Sequence, residues 1–379
     1  MYILLKDKPV LYFDFEEMLV EVIEPNLIPW GLRGRIKPLT QTTPKEMATV
    51  MSNNVQSIKE WLSNRVLSLN RDNAKQIFAL FNISQSNDIN TRVSICLRCY
   101  GVTVTDSYWV KSDNDKKTWL DVNIRKNHFK EIIDIALNGY YPTITTNPIC
   151  PELTTKGVFK KAWTRDLETK DLYLLKSDNR PNNINTRCEV LASHVLDCFT
   201  NVAHVQYSGR VRNTKDGKLY VNKCKNFVGE SYSFVEAKEV IDFCNLHNLN
   251  FEEFALRMFG SKFANISVVD YIILNTDRHD NNYGFLMDND SGMLVDIASL
   301  FDFNCALVAD VGGWTEKALE TYNPMFNSIE YTIKSLAMKM LPYSDIKVDR
   351  KHLKDIEKYF KDYKQVYKNV VSRIEFCCK

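Results

Sequence analysis

The chain has 379 residues, 45% hydrophobic and 25% charged, an ordinary globular composition with enough length for two or three cores. Its 49 Lys and Arg nearly balance its 47 Asp and Glu, so the net charge of +2 favours neither a nucleic acid nor a membrane surface as partner. No apolar run reaches roughly 18 residues, and Lys6 closely follows the first apolar residues, so neither a membrane span nor a signal peptide is predicted.

The ten cysteines are scattered along the chain and form no compact framework of pairs. This usage predicts reduced thiols and a cytoplasmic protein. Cys96 and Cys99 have the spacing of half a zinc site, but no second Cys or His pair stands at a suitable distance. We therefore expect this stretch to lie on a helix and one or both cysteines to pack as small apolar side chains.

The amino-terminal third has mixed strand and helix patterns. Residues 2–5 and 10–15 are apolar runs on either side of a polar turn, which is typical of two paired strands. Helical spacing of apolar residues appears at 55–67 and 73–80, whereas the β-branched and aromatic run 101–111 favours extended structure. These patterns predict a separate amino-terminal unit.

Three prolines between residues 140 and 151 mark a boundary or linker. Directly after it, residues 153–157 form a short polar turn that enters an extended run. This turn can cover phosphate groups with main-chain N–H groups and hydroxyls, although a single glycine is a weak signal. Its candidate binding residues are Thr154, Thr155, Lys156 and Gly157.

Lys176 ends an apolar strand over residues 172–176, and Glu189 lies in the first turn of a predicted helix over 186–199. Two interpretations of Glu189 remain open. Thr186 and Glu189 have the spacing of a capping box, in which the glutamate only caps the helix. Alternatively, Glu189 forms an ion pair with Lys176.

A second hairpin is predicted by apolar runs at 205–211 and 218–224 around the turn 213–217. The order strand, strand, helix, strand, strand therefore describes a small lobe rich in β-structure. We expect residues 225–233 to connect this lobe to the remainder of the chain, which has helical patterns from Phe234 onward. Beyond residue 351, apolar residues at spacings of three and four predict one apolar helix face.

The segment from residue 263 to residue 304 carries the densest set of candidate catalytic residues. A helical apolar run ends at residue 274, and eight polar residues, 275–282, follow it. Two short apolar runs then predict a β-hairpin, with Asp302 just beyond it. Asp277 and Asn282 are five positions apart, the spacing between the base and a metal ligand in the catalytic loop of phosphoryl-transfer enzymes.

Phosphoryl transfer explains the residue types at these positions. An aspartate such as Asp277 orients the acceptor hydroxyl and takes its proton, and Mg²⁺ prefers oxygen ligands such as those of Asn282 and Asp302. The alternative is that the polar residues only form turns. The order helix, loop, hairpin and acid favours the catalytic interpretation, with ATP and Mg²⁺ as the cofactors.

The segments NTDRHDNNYGF (275–285) and IASLFDFN (297–304) resemble the catalytic segment of HipA-like serine/threonine kinases, a family that includes bacterial toxin kinases and the CtkA group. The D-R-H-x-x-N pattern of residues 277–282 is also similar to that of phosphatidylinositol kinases. Both resemblances imply phosphoryl transfer and differ in the substrate. The second makes Asp296 the reserve candidate for Asp302, because phosphatidylinositol kinases place this acid closer to the loop.

The resemblance to HipA-like kinases implies an α+β, two-lobed protein-kinase-like fold with an amino-terminal accessory domain. Residues 1–141 would form the accessory domain, residues 142–232 the small lobe, and residues 233–379 the large helical lobe. It also implies that Lys176 holds the ATP phosphates and that Glu189 pairs with it. The family makes Arg278 and His279 site residues beside Asp277, where they would brace the loop or the phosphates.

The expected function is a serine/threonine protein kinase that transfers the γ-phosphate of ATP to a protein hydroxyl. The resemblance extends this expectation to a toxin with an antitoxin partner. HipA-like kinases phosphorylate a hydroxyl of their own phosphate-covering loop, which here is Thr154 or Thr155. A kinase of a lipid or other small molecule and a catalytically silent nucleotide-binding module remain alternatives.

Overall fold

The computed structural model describes residues 1–140, 149–325 and 330–378. In these ranges the fold combines many helices with three antiparallel sheets, two of four strands and one of three. The linker predicted between residues 140 and 151 lies largely outside the described residues, and the division into three domains stays a prediction. No helix in the described ranges is long and apolar enough to cross a membrane.

The amino-terminal part, residues 1–140, contains a four-stranded sheet in the order β3-β2-β1-β4. Its strands are β1 Tyr2–Leu5, β2 Lys8–Asp14, β3 Leu19–Val22 and β4 Tyr108–Lys111. Both strands predicted at the start of the chain are present. The extended run predicted at 101–111 is a strand only at its end, because Val104 and Thr105 instead accept hydrogen bonds from Asn226 and Phe234.

The helices of this part are α1 Met47–Ser63, α2 Ala74–Leu80, α3 Ile89–Arg98, α4 Trp119–Val122 and α5 Ile133–Asn138. Helix α1 packs on α3, and α5 packs on the next sheet. Cys96 lies in α3 and Cys99 follows its end; both are buried, and the thiol of Cys99 donates to the carbonyl of Ile95. The two cysteines therefore pack as the sequence predicts.

The second sheet has the order β5-β6-β8-β7. Its strands are β5 Lys160–Arg165, β6 Leu172–Ser177, β7 Tyr207–Thr214 and β8 Gly217–Lys225. Helix α6, Ile184–Leu196, lies between β6 and β7 in the chain and packs on β7 and β8. This is the predicted order of strand, strand, helix, strand, strand.

The third sheet joins the predicted hairpin to one earlier strand in the order β11-β10-β9. Its strands are β9 Tyr232–Glu236, β10 Gly284–Asp288 and β11 Leu294–Ile297. The hairpin turn forms because the carboxylate of Asp288 accepts the main-chain N–H groups of Asp290 and Ser291. Gly292 completes the turn at φ +71°, a left-handed conformation that glycine adopts without a steric penalty.

The carboxyl-terminal half is mainly helical. Its helices are α7 Ala237–Leu246, α8 Phe251–Phe259, α9 Ser261–Ile272, α10 Val308–Gly312, α11 Thr315–Leu319, α12 Ile333–Met340, α13 Arg350–Asp355 and α14 Lys364–Cys377. Helix α9 is buried from Phe263 to Ile272, and α8, α12 and α14 pack around it. A helix without a polar face belongs at the centre of a core.

The predicted helix of the tail is interrupted. Instead of one helix from residue 351, α13 passes into a short 3-10 helix, Ile356–Phe360, and α14 begins only at Lys364. The apolar residues of the tail still face inward, since Ile356, Phe360 and Ile374 are buried. The pattern therefore predicted burial correctly but missed the break between the two helices.

Candidate active site

Helix α9 leads into the polar loop 273–283, and a buried ion pair fixes this loop. Arg278 is fully buried and bonds the carboxylate of Asp270 through two nitrogens, at 2.9 and 3.0 Å. Its remaining nitrogen donates to the carbonyls of Asn282 and Phe301, each at 2.7 Å. The amide of Asn275 also donates to Asp270, at 3.0 Å. Arg278 thus braces the loop from inside, and Asp270 is a member of this site that the sequence reasoning missed.

Asp277 lies at the mouth of this loop, partly exposed. Its carboxylate makes no hydrogen bond within the described residues other than a long contact of 4.0 Å from the thiol of Cys305. Burial raises the pKa of Asp277; His279 acts in the opposite direction, and the negative charge of Asp302 adds to the rise. The carboxylate therefore combines partial exposure and a raised pKa with the lack of a short hydrogen bond among the described residues, the properties of a group that can take up a proton.

The side-chain amide of Asn282 is held through its nitrogen rather than its oxygen. Its amide nitrogen donates to the main-chain carbonyl of Asp277 at 2.6 Å, which turns the amide oxygen the other way. Asn282 Oδ1 is buried and has no hydrogen-bond partner among the described residues. A buried oxygen of this kind is costly unless a ligand satisfies it.

The predicted ion pair between Lys176 and Glu189 is present and buried, with Lys176 Nζ 2.7 Å from Glu189 Oε1. Glu189 also accepts hydrogen bonds from the amide of Asn222 at 2.6 Å and from the main-chain N–H of Phe303 at 3.1 Å. Asn222 was not predicted from the sequence. Three different elements thus converge on this one glutamate.

The capping-box interpretation of Glu189 is wrong. Helix α6 begins at Ile184, with Asn183 at its N-cap position, so Thr186 lies inside the helix rather than at its cap. The main-chain N–H and hydroxyl of Thr186 donate to the carboxylate of Asp178 instead. Glu189 is left with Lys176 as its charged partner.

Asp302 joins the same cluster, with its Oδ1 2.8 Å from Lys176 Nζ and 2.8 Å from the amide nitrogen of Asn304. Its Oδ2 accepts no hydrogen bond within the described part of the chain. Burial alone would raise the pKa of Asp302, but Lys176 and Lys161 hold it well below its usual range. Asp302 has φ +60°, a strained conformation for a residue with a side chain.

The predicted phosphate-covering turn consists of a 3-10 helix, Pro151–Thr154, and the loop before β5. Within the described residues, the main-chain N–H groups of Lys156, Gly157 and Val158 make no hydrogen bond. Gly157 has φ +95°, where a side chain would be strained. Successive unpaired N–H groups in such a loop form an anion-binding surface.

The side chains of this loop are already engaged. The hydroxyl of Thr155 donates to the carbonyl of Pro151 at 2.7 Å, and that of Thr154 donates to it at 3.4 Å. The ammonium of Lys156 bonds both carboxylate oxygens of Glu236, at 2.8 and 2.9 Å. The loop thus offers main-chain groups for binding, while the Lys156–Glu236 ion pair ties it to the end of β9.

Lys161 is the main candidate that the sequence reasoning did not find. It stands directly opposite Lys176 in the pairing of β5 with β6, so both side chains point to the same face of the sheet. Its ammonium is buried and donates to the carbonyl of Lys156 at 3.1 Å. Burial lowers the pKa of Lys161 to about 8, with Asp302 acting against this shift. The alternation of side chains along β5 was the available signal for Lys161. That signal identifies Lys161 as a candidate only when the pairing register of β5 with β6 is also known.

The reserve candidate Asp296 lies apart from this cluster. Its side chain is 41% exposed on β11 and forms a surface ion pair with Lys262 at 2.8 Å. No hydrogen bond within the described ranges connects it to Asp277, Asn282 or Asp302. The geometry therefore favours Asp302 over Asp296. His279 stays beside Asp277, and its ring nitrogen Nδ1 accepts the main-chain N–H of Asn281 at 3.2 Å.

Three partly exposed phenylalanine rings meet next to the cluster: Phe227, Phe234 and Phe301. Phe227 and Phe301 are stacked with their centroids 5.3 Å apart, and Phe234 meets both edge to face. Because Phe301 directly precedes Asp302, this aromatic surface lies beside the charged groups. It provides flat apolar faces on which an aromatic ring can stack.

No protein-family model matches the chain. No curated protein matches it either. Among solved structures, the chain is similar to the proinflammatory kinase CtkA of Helicobacter pylori, with 16% identity and a TM-score of 0.39, over 58% of this chain and 89% of that chain. A distant likeness of this kind transfers neither a residue role nor a substrate to the present chain.

Proposed function

We propose that this protein is an ATP-dependent kinase that transfers the γ-phosphate to a serine or threonine hydroxyl of a protein, in the manner of HipA-like kinases. One observation carries the proposal: the Lys176–Glu189–Asp302 cluster adjoins the loop of Asp277 and Asn282. Among the described residues, that loop leaves the Asp277 carboxylate without a short hydrogen bond and the Asn282 oxygen without a partner. These groups come from β6, α6, the loop after α9 and the segment after β11. Phosphoryl transfer would give both groups a partner, a metal ion for the Asn282 oxygen and an acceptor hydroxyl for the Asp277 carboxylate.

In the proposed phosphoryl transfer, different residues have different roles. Lys176 and Lys161 lie on one face of the sheet, where they can hold phosphate oxygens, and the free N–H groups of the loop near Gly157 can cover the same phosphates. The acceptor oxygen forms the new bond to the γ-phosphorus while the bond to the bridging oxygen breaks and ADP leaves. Asp277 receives the proton of the hydroxyl.

The donor set fits Mg²⁺. Asn282 Oδ1 and the carboxylate of Asp302 are hard oxygen ligands, and nucleotide phosphates and water would complete the coordination. No group of three or more His, Cys, Asp or Glu side chains suited to a metal occurs in the described part of the chain, which agrees with a site that relies on its substrate for ligands. Bound Mg²⁺ would neutralise phosphate charge.

The test is the transfer of labelled phosphate from ATP to the protein itself and to the proteins of a cell lysate, with Asp277→Asn as the control. Label on protein that depends on Asp277 supports the proposal. Label found only in the small-molecule or lipid fraction would identify a kinase of the alternative class. No transfer to any fraction, together with nucleotide binding, would identify a silent binding module.

The choice between Asp302 and Asp296 can be tested directly. We expect Asp302→Ala to weaken Mg²⁺-dependent nucleotide binding by about tenfold or more, because it removes a metal ligand. Asp296→Ala is the matched control and should change the affinity little. The measurement is a titration of a fluorescent ATP analogue with and without Mg²⁺; the opposite ranking of the variants would assign the metal to Asp296.

Autophosphorylation is expected on Thr154 or Thr155. Both hydroxyls are bonded within the loop, so the loop must open before either can be phosphorylated. The added phosphate carries about −1.5 to −2 charge at neutral pH and would repel ATP from the loop. Mass spectrometry after incubation with ATP and Mg²⁺ should find the phosphopeptide and weaker ATP binding; phosphate exclusively at other positions would contradict the prediction.

A further inference from the structure

A short segment of the amino-terminal part lies against the proposed phosphate-binding loop. It connects α1 to α2 and includes residues 64–73. The main-chain N–H of Leu67 donates to the carbonyl of Leu153 at 2.7 Å, and that of Asp72 donates to the carbonyl of Val158 at 2.9 Å. The two hydrogen bonds hold both sides of the loop against this segment.

Arg71 connects the same segment to the loop through its side chain. The guanidinium is buried and donates to the carbonyls of Glu152 and Thr155, each at 3.4 Å, and to that of Lys161. Within the described residues it forms no direct ion pair with a carboxylate. Burial lowers the pKa of Arg71 to about 10, although the charge of Glu152 opposes this effect. A buried charge that bonds only carbonyls fixes main-chain geometry rather than neutralising an acid.

The direction of these hydrogen bonds determines which main-chain groups of the loop remain available to a ligand. Four carbonyls of the loop, between Glu152 and Val158, bond to the amino-terminal segment, and so does the carbonyl of Lys161 at the start of β5. The carbonyl of Lys156 bonds to the ammonium of Lys161. The N–H groups of Lys156, Gly157 and Val158 are left without a partner among the described residues. An anion-binding loop needs this arrangement, with its carbonyls held away and its N–H groups free.

From this geometry we propose that Arg71 is a positioning residue for nucleotide binding, through which the amino-terminal part keeps the phosphate-binding loop in its binding conformation. The inference rests on the proposed function and extends it, because it makes residues 64–73 a necessary support of the nucleotide site. Arg71 itself touches neither ATP nor the acceptor.

The test compares Arg71→Met with Arg33→Met in the full chain. Arg33 is a matched control: it lies in the same amino-terminal part and also donates to three carbonyls, those of Asn26, Ile28 and Gly292, but none belongs to the loop. Titration of a fluorescent ATP analogue gives the nucleotide affinity. Hydrogen exchange of the Leu67 and Asp72 amides reports whether the loop stays docked, without relying on any activity.

We expect Arg71→Met to raise the dissociation constant for the nucleotide by about tenfold and to accelerate exchange at Leu67 and Asp72 by a similar factor. In transfer assays its KM for ATP should rise more than its kcat falls. Arg71→Lys keeps the charge but not the planar set of donors, so its nucleotide affinity should lie between those of the wild type and Arg71→Met. This variant replaces Arg71→Met in the test if the methionine variant does not fold. Arg33→Met should leave nucleotide affinity and both amides unchanged.

Two results would contradict the proposed role of Arg71 and leave the proposed function intact. The first is a wild-type protein that binds the nucleotide and an Arg71→Met variant that binds it equally well. The second is an equal loss of affinity in Arg33→Met, which would indicate general destabilisation. If the wild type binds no nucleotide, the proposed function itself fails.

Discussion

Replacing Asp277 by asparagine is expected to reduce phosphate transfer by roughly 10²–10⁴-fold, the usual contribution of a positioned general base. Asparagine keeps the shape of the side chain but cannot accept the proton of the acceptor hydroxyl. The carboxylate makes only the long contact to Cys305 within the described residues, so the substitution breaks no short hydrogen bond of that side chain. Folding and ATP binding should therefore stay close to those of the wild type.

The matched control is Asp296→Asn, which changes a carboxylate of the neighbouring hairpin that forms a surface ion pair with Lys262. It should transfer phosphate at the wild-type rate. The measurement is the initial rate of labelled-phosphate transfer at saturating ATP, with thermal unfolding as a check on folding. Transfer by Asp277→Asn within about threefold of the wild type would exclude Asp277 as the base.

Replacing Asp270 by alanine is expected to lower the free energy of unfolding by about 3–5 kcal/mol, the cost of removing one partner from a buried ion pair. The guanidinium of Arg278 is fully buried and, within the described residues, would keep only the carbonyls of Asn282 and Phe301 as hydrogen-bond acceptors. Because Arg278 also holds the loop that contains Asp277, transfer activity should fall even at temperatures where the variant is folded.

Denaturant unfolding measures this effect. Asp296→Ala again provides the comparison, since the ion pair with Lys262 is exposed and such pairs contribute about 1 kcal/mol or less. A loss of less than about 1 kcal/mol in Asp270→Ala would mean that Arg278 finds another partner and that the brace is not essential. Comparing the two variants distinguishes the contribution of the buried ion pair to stability from that of the surface ion pair.

The sequence predicted much of the candidate site because its central features are local. Asp277 and Asn282 belong to one loop, and the helix before it and the hairpin after it have clear apolar patterns, so their order followed from the residues alone. The strands around Lys176 and the helix that carries Glu189 were also predictable from periodicity. All of these elements are present, although α6 begins two residues earlier than the pattern indicated.

The features that the sequence did not determine depend on long-range contacts. Whether Glu189 caps its helix or pairs with Lys176 was decided by the start of α6, which lies at Ile184. Lys161 became a candidate because β5 pairs with β6 in the register that sets it opposite Lys176. A local pattern gives the side-chain alternation of each strand but not the register between two strands.

By itself, therefore, the sequence determined the residue types of the site, their order and the secondary structure that carries them. Only the tertiary structure favoured Asp302 over Asp296, since this preference depends on which side chain reaches the buried ammonium of Lys176 and which one remains on the surface. It also brought Arg71 to a loop that follows it by more than 80 positions in the chain. Such contacts arise when elements that are distant in the chain pack together, and the spacing of neighbouring residues does not predict them.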